Sequence, residues 1–476
     1  DVSVMGGNPA GLGVFRSSEW VITLGLLSPK TTTIWGGQTT ETRDKAKLTL
    51  NNFSYVGSFG TGSETGVVSW SAGFSYNKVK DYTRNYRMGT AGRTMNSSVS
   101  DYIAQRSAGY SVEDLEGDKA YGNGTDGGAD WLSVLGYQAG LIAFDDYGVL
   151  SAFGNFNGEE GYIPYPISGA TLQIEERGAA SLYNMAFGLN ISNRIFAGAS
   201  VAITSMDYSY KSIYDEKFEN DDDLFLDNNL STSGTGYTVN IGMIVRPTDF
   251  LRLGVAYHSP VWYNMTDYFY GKAGSSVTVG EGDYRELFAI TPSDDVNVYK
   301  YRSPDKWLLS TAVTFGQSGL LSVDYELTNY AKMSTFEQYN APTNDGIKAN
   351  MGQVGTLRIG GEWKATPQLA LRAGWNRSQS AIIGELGQGK TAGEGVVAGT
   401  IPHFTIDRGM TNYTFGLGYR FTPRLYADMA CVLERYKEDA YAFPNITDMY
   451  NDIPPVSPAT LKTNRTHVAL TFGCKF

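Results

Sequence analysis

Catalytic chemistry has little to work with in this chain. His258, His403 and His467 are its only three histidines, and their spacing fits neither a zinc site nor a nucleophile–base–acid triad. Asp221, Asp222 and Asp223 lack the spacing of a calcium loop and read as a solvated acidic run. No enzyme, metal or cofactor is therefore expected. The net charge of −11 and a pI near 4.9 argue against nucleic acid as a partner, because phosphate binding needs a cationic surface.

Two other groups of residues stand out. Arg246, Arg252, Asp324, Glu326, Glu362, Lys364, Arg372, Arg420, Asp428 and Lys475 are charges of both signs set among apolar residues. They could form a constriction for ions, but compensating pairs that brace an internal segment explain them with fewer assumptions. The second group is aromatic and aliphatic. Trp131, Leu132, Leu135, Gln138 and Ile142 fall at helical spacing, followed by Phe144, Phe153, Phe156, Tyr162 and Tyr165. Trp131, Leu135, Ile142, Phe144, Tyr162 and Tyr165 could line a groove for a hydrophobic small molecule, or make a small core of their own.

The elements that must hold these residues alternate with a period of two. Val468, Leu470, Phe472, Cys474 and Phe476 oppose His467, Ala469, Thr471, Gly473 and Lys475. Tyr183, Met185, Phe187, Leu189 and Ile191 oppose Asn184, Ala186, Gly188 and Asn190, and similar runs begin at Tyr237 and Tyr413. No stretch of 18 uncharged apolar residues occurs, so no ordinary transmembrane helix is expected. A closed barrel remains as a membrane-spanning possibility, since only helices and closed sheets satisfy the backbone in hydrocarbon. The 32 Tyr and 22 Phe suit interfacial girdles. A soluble sandwich would show the same alternation, and connection lengths separate the two. Short turns are expected at 60–66, 192–193, 247–249, 316–319, 366–368 and 422–424, and long loops at 37–44, 90–170, 215–230, 271–297, 338–355, 380–409 and 443–460. Six turns alternating with seven loops give 14 antiparallel strands with both ends of the wall on the short-turn, periplasmic side. Cys431 and Cys474 fall on the lipid face of neighbouring strands at different depths, which speaks against a disulfide.

Residues 1–18 precede the first strand and are too rich in Gly and Pro to span a membrane. A barrel of this size has a lumen its own side chains cannot fill, so this segment is expected to be a plug, with 19–476 forming the barrel. With Asn8-Pro9-Ala10 just before strand one, and an aromatic last residue like the C-terminal signal of bacterial outer-membrane barrels, the chain resembles the FadL/OmpP1/TodX family. The resemblance implies an all-β, 14-stranded outer-membrane barrel with an N-terminal hatch, a leader removed before Asp1, and lipid as its surroundings. It also implies passive uptake of fatty-acid-like or aromatic compounds, with lateral exit at a kink in the third strand, for which Gly73 is a candidate. The alternative is that the same fold serves as a structural or accessory subunit that binds other outer-membrane proteins. A simple diffusion porin is disfavoured by the plug.

Overall fold

In a computed structural model, the described residues are all except 1, 123–127, 147, 158–160, 280–282, 293–295, 337–340, 393–396, 448–451 and 454–456; parts of several expected loops lie outside them. The wall is a closed antiparallel barrel of 14 strands. They are β1 (Glu19–Trp35), β2 (Gln38–Arg43 and Lys47–Gly60), β3 (Val67–Asp81 and Arg84–Ala91), β4 (Ile167–Ile191) and β5 (Ile195–Phe218). Next come β6 (Asp223–Val245), β7 (Leu251–His258 and Trp262–Val279) and β8 (Asp283–Ile290, Val296–Arg302 and Lys306–Phe315). The circuit ends with β9 (Gly319–Asn329), β10 (Gln353–Lys364), β11 (Leu369–Ser378), β12 (Phe404–Arg420), β13 (Leu425–Tyr441) and β14 (Ala459–Lys475). Pairing of β1 with β14, from Glu19↔Lys475 to Ile34↔Thr460, closes it. Cys431 lies opposite Val468 and Cys474 opposite Leu425, so the two free thiols sit on separate rungs.

The outward side chains mark the membrane. On β6 they run Val245, Met243, Ile241, Val239 and Tyr237, then turn to Thr235 and Ser233. On β14 they run Phe472, Leu470 and Val468, then Thr466, Asn464 and Lys462. About ten residues of tilted strand match the ~25 Å apolar band of an outer-membrane barrel. The wall then continues outward as sheet. Where loops were expected at 37–44 and 215–230, the strands instead run on to tight outer turns, with φ of +53° and +81° at Gly36 and Gly37 and +67° at Asp221, and much of the loop expected at 271–297 is strand, up to Val279 and from Asp283 to Ile290. The reason is physical. A hydrogen-bonded ladder is equally satisfied in water, and once outside lipid its outward side chains become polar, which reads as loop composition.

The 90–170 connection folds over the outer mouth with helices α1 (Val99–Arg106) and α2 (Trp131–Gln138). Val99, Ile103, Leu132 and Leu135 join Trp35 of β1, Tyr86 and Met88 of β3, Tyr214 of β5 and Phe443 in one buried apolar core. This core fills the mouth. Its polar anchor is Glu216 on β5, fully buried beyond the membrane band, whose carboxylate accepts from Val99 N at 2.9 Å and the Ser98 hydroxyl at the start of α1, and from the Tyr214 hydroxyl on its own strand.

Burial raises the Glu216 carboxyl from its usual 4.5 to about 7, against the lowering effect of its hydrogen-bond donors. A folded-state pKa above the unfolded one gives stability that is complete below 4.5 and lost as pH rises through about 7. Amide exchange at Val99–Ile103, corrected for its intrinsic rate, should therefore be slower at pH 5 than at pH 8. Glu216→Gln should hold it slow at both, and a wild-type protein with no difference between the two would contradict the assignment.

Candidate functional site

Inside the barrel, residues 2–18 lie along one half of the wall. They form two 3-10 turns, Val2–Met5 and Pro9–Val14, and the second is capped by Asn8, whose Oδ1 accepts from Ala10 N at 3.1 Å. The same Asn8 side chain donates from Nδ2 to two wall carbonyls, Met243 O on β6 at 3.3 Å and Val255 O on β7 at 3.2 Å. His258 Nε2 meets Gly7 O at 2.7 Å, and Asn184 Nδ2 donates to Met5 O at 2.5 Å. Met5 and Leu12 are fully buried against Val21, Val56 and Ala186; each such side chain contributes about 2 kcal/mol of transfer free energy.

What lets the segment approach so closely is a row of inward glycines. A Cβ on Gly242 would stand 2.1 Å from Asn8 Oδ1, on Gly198 2.4 Å from the Pro9 carbonyl, and on Gly188 2.6 Å from Leu12 Cβ. Gly73 belongs to the same floor, since its Cβ would stand 2.8 Å from Met5 Sδ. The backbone of the segment thus occupies space that any other residue on β3–β6 would fill.

The charges expected to anchor this segment do otherwise. Among the described residues, none of Arg246, Arg252, Asp324, Glu362, Arg372, Arg420 and Asp428 is hydrogen-bonded or ion-paired to residues 2–18. Arg372 on β11 instead donates to Glu362 on β10 at 2.7 Å and to Asp428 on β13 at 2.5 Å, forming a brace on the opposite wall. Arg246 bonds Asp249 across its own turn at 3.1 Å, Asp324 lies in register with Arg358 on the lumen face of β9, Arg252 faces inward on β7, and Arg420 ends β12 at the periplasmic mouth. The correction follows from composition. Between residues 2 and 18 only Arg16 is charged, so the segment offers backbone amides and carbonyls rather than ions.

The candidate ligand loop is engaged with itself. Leu135 and Ile142 are in the cap core, and Phe144 packs edge-on against Tyr137 at 5.6 Å. Trp131 donates to Tyr121 O at 2.8 Å, Tyr162 to Phe153 O at 3.1 Å and Tyr165 to Asn155 at 3.0 Å. Of these six residues, Leu135 and Ile142 belong to the mouth core, Trp131, Phe144 and Tyr165 pack against it, and Tyr162 is held by its hydroxyl.

Gly73 is paired on both sides, with Val56 on β2 and Ala186 on β4. The irregularity in the third strand lies farther out. The β2–β3 ladder ends at Asn52↔Asn77; beyond it Lys47–Leu50 pair with β1 and Lys78–Asp81 with β4, but not with each other. At Tyr82-Thr83 the strand breaks, and its outer part, Arg84–Ala91, pairs with β4 alone while tucking behind β1, where Thr33 Oγ1 donates to Arg87 O at 2.6 Å. Asn52 Nδ2 closes the base of the slot by donating to Asn77 Oδ1 at 2.7 Å and Tyr76 O at 3.1 Å. Leu48, Leu50 and Val79 are exposed along its rim.

Just inside the slot, Lys80 and Tyr82 line a 380 Å³ cavity. Across it, Arg84 reaches Glu176 on β4 and Glu438 on β13, two charge-assisted bonds that tie the displaced strand to opposite walls. Arg465 on β14 donates to Asp81 O at 3.0 Å and Thr83 O at 3.4 Å, satisfying carbonyls that the break leaves without a ladder partner. Sequence reasoning missed Asn184, His258, Arg84 and Arg465. Their inward parity was available, but the partners of Asn184 and His258 depend on where the N-terminal segment lies, and those of Arg84 and Arg465 on the break at Tyr82-Thr83.

An apolar girdle about ten residues tall, a closed ladder and a segment docked in the lumen define an integral β-barrel of the bacterial outer membrane. A family model described as outer membrane protein transport protein (OMPP1/FadL/TodX) matches residues 216–474, more than half of the chain, and the protein belongs to that family. No curated protein matches. Among solved structures, the toluene transporter TodX of P. putida aligns with TM-score 0.50 and 12% identity, covering 100% of this chain and 94% of the other, and supports the fold. A Pseudomonas aeruginosa FadL homologue aligns at 0.48 with 12% identity, covering 100% and 94%. The Ralstonia pickettii toluene transporter TbuX aligns at 0.47 with 11% identity, covering 100% and 93%.

Asn8→Ala removes both wall bonds and the cap, and should weaken docking of the segment by about 1–3 kcal/mol. Trypsin cleavage at Arg16 should then quicken about tenfold or more. Gly242→Val should do the same, and Arg372→Gln should leave the rate unchanged; a rise with Arg372→Gln equal to that with Asn8→Ala would restore the charged anchor.

Proposed function

We propose that the protein carries hydrophobic compounds across the outer membrane, with residues 1–18 as the lumen plug and the β2–β3 slot as a lateral exit. The observation that carries this reading is the end of the β2–β3 ladder at Asn52↔Asn77, beside the apolar rim of Leu48, Leu50 and Val79. A lateral path suits an apolar solute because it leaves the lumen into lipid without crossing the aqueous periplasm. Family membership supports transport as such. The apolar mouth core supports a solute that partitions out of water before it enters. Related barrels described as transporters of toluene and as monoaromatic hydrocarbon channels suggest small aromatic hydrocarbons as the first compounds to try.

The test is a reversible stitch across the slot. With Cys431 and Cys474 replaced by serine, Leu50→Cys and Val79→Cys are introduced together and their oxidation is checked by mass spectrometry. Oxidised cells should take up labelled toluene no faster than cells lacking the protein, and reduction should restore uptake. An uptake rate unmoved by a verified cross-link would remove the slot as the exit, while equal uptake with and without the protein would remove the transport reading.

A further inference from the structure

At its outer edge the apolar band ends in the same way on three neighbouring strands. Outward side chains pass from Trp375 to Arg377 on β11, from Tyr413 to Thr411 on β12 and from Leu433 to Arg435 on β13. Strand pairing puts Arg377, Thr411, Arg435 and Asn464 of β14 on one rung, and one outward step higher Lys437 of β13 faces Lys462 of β14. All four cations are exposed. They lie within three strand spacings, roughly 15 Å across, in a chain whose net charge is −11.

Two of the four are held in place. Arg377 donates from Nη1 to Thr411 Oγ1 at 2.8 Å, and the Arg435 guanidinium lies over the Tyr413 ring, 5.8 Å from its centroid. The two guanidinium groups thus flank Thr411, each braced by a β12 side chain. Among the described residues, none of the four cations is ion-paired to a carboxylate. Nearby acids are engaged elsewhere: Glu41 on β2 with Lys30 at 2.8 Å, and Asp439 on β13 with Arg408 at 2.6 Å. Like charges directly opposite, as at Lys437 and Lys462, destabilise a sheet unless an anion sits between them.

The other side of the barrel is built differently. On the first polar rungs of β5 and β6, Ser205 stands opposite Thr235 and Asp207 opposite Ser233. Snorkelling of long basic side chains to the interface has no preference among strands, whereas these four gather on one sector of the wall.

We propose that the outer surface of β11–β14 carries a site for the phosphorylated glycolipid of the outer leaflet. Its acyl chains would lie on the apolar surface below, and its sugar phosphates among Arg377, Arg435, Lys437 and Lys462. The site stands at the extracellular end of the wall, at the level of that leaflet's headgroups, and is continuous with the lipid-facing band beneath it. Two guanidinium forks suit phosphate oxygens, which they can grip bidentately, and the two ammonium groups add point charges one step farther out. A lipid with a single glycerophosphate would engage fewer of the four. The site is independent of what the slot carries.

Binding of bis-phosphorylated lipid A to the purified full chain in detergent tests it. Arg377→Gln, Arg435→Gln, Lys437→Gln and Lys462→Gln combined should weaken binding at least about tenfold. The parent chain should bind dephosphorylated lipid A, or phosphatidylglycerol, as weakly as the fourfold variant binds lipid A. Arg177→Gln with Lys211→Gln, at outward positions of β4 and β5, should change nothing. A benzophenone side chain in place of Thr411 should capture one equivalent of lipid A on illumination, and one in place of Thr235 on β6 should not. That pair localises the lipid even where the fourfold variant fails to fold. Equal affinity of parent and fourfold variant, an equal loss with the β4–β5 pair, phosphatidylglycerol or dephosphorylated lipid A bound as tightly as lipid A, or equal capture at Thr411 and Thr235 would each overturn the assignment.

Discussion

The rest of the molecule depends on the continuity of the hydrogen-bond ladder. In hydrocarbon an unpaired backbone amide or carbonyl costs several kcal/mol, so a strand circuit in lipid has to close. Here it does so through the β1–β14 pairing, and the place where β2 and β3 separate lies at a particular depth. The β2–β3 ladder holds for the length of the apolar band and stops at Asn52↔Asn77, near the height where outward side chains on other strands turn polar. Asn52 then substitutes side-chain bonds for backbone ones, and Arg465 takes up the carbonyls of Asp81 and Thr83 from within. The ladder can end there because polar partners replace it, and farther down only lipid would face it.

The same ladder fixes which residues face inward, and so where the N-terminal segment can lie. Inward glycines on β3–β6 lower the floor by the depth of a side chain, and Asn8, Pro9 and Leu12 settle into the space. Docking is by shape and by bonds to backbone carbonyls, with His258 and Asn184 as polar pins. Between residues 2 and 18 only Arg16 is charged, and the Glu362–Arg372–Asp428 brace stabilises the wall it belongs to.

Much of this was legible in the sequence, and the limits of legibility are instructive. All six short turns lie where glycine, proline and polar clusters interrupt the alternation, because a periplasmic turn must reverse the chain just outside lipid. Asn8-Pro9-Ala10 was legible as a motif, and its role as a cap and wall clamp follows from the fold. The outer ends were misread because alternation there is between polar and apolar in the opposite sense. On β5, Tyr214 and Glu216 point inward to the cap core while Lys211 and Asp215 face water, a pattern that local composition scores as loop. The break in β3 escaped for a different reason. Gly73 drew attention as the glycine of that strand, yet the strand gives way at Tyr82-Thr83, and the glycine that accommodates it is Gly178 on the neighbouring β4, with φ of +117° and no room for a Cβ beside Asp207 O.

The mouth and the slot have to be considered together. An apolar core containing Trp35, Tyr86, Tyr214 and Phe443 lies at the outer end of the lumen. Tyr86 belongs to the part of β3 that lies beyond the break, so the displaced strand carries residues of the mouth core. Arg84, two residues earlier, pins that displaced part to Glu176 and Glu438. If Arg84–Ala91 were drawn back into line with Val67–Asp81 to zip against β2, Tyr86 and Met88 would leave the core and the mouth would lose two of its fillers. The apolar core above and the end of the β2–β3 ladder at the side are in this way two consequences of one kink, and the buried Arg84, paired with Glu176 and Glu438, holds the displaced part of β3 between them.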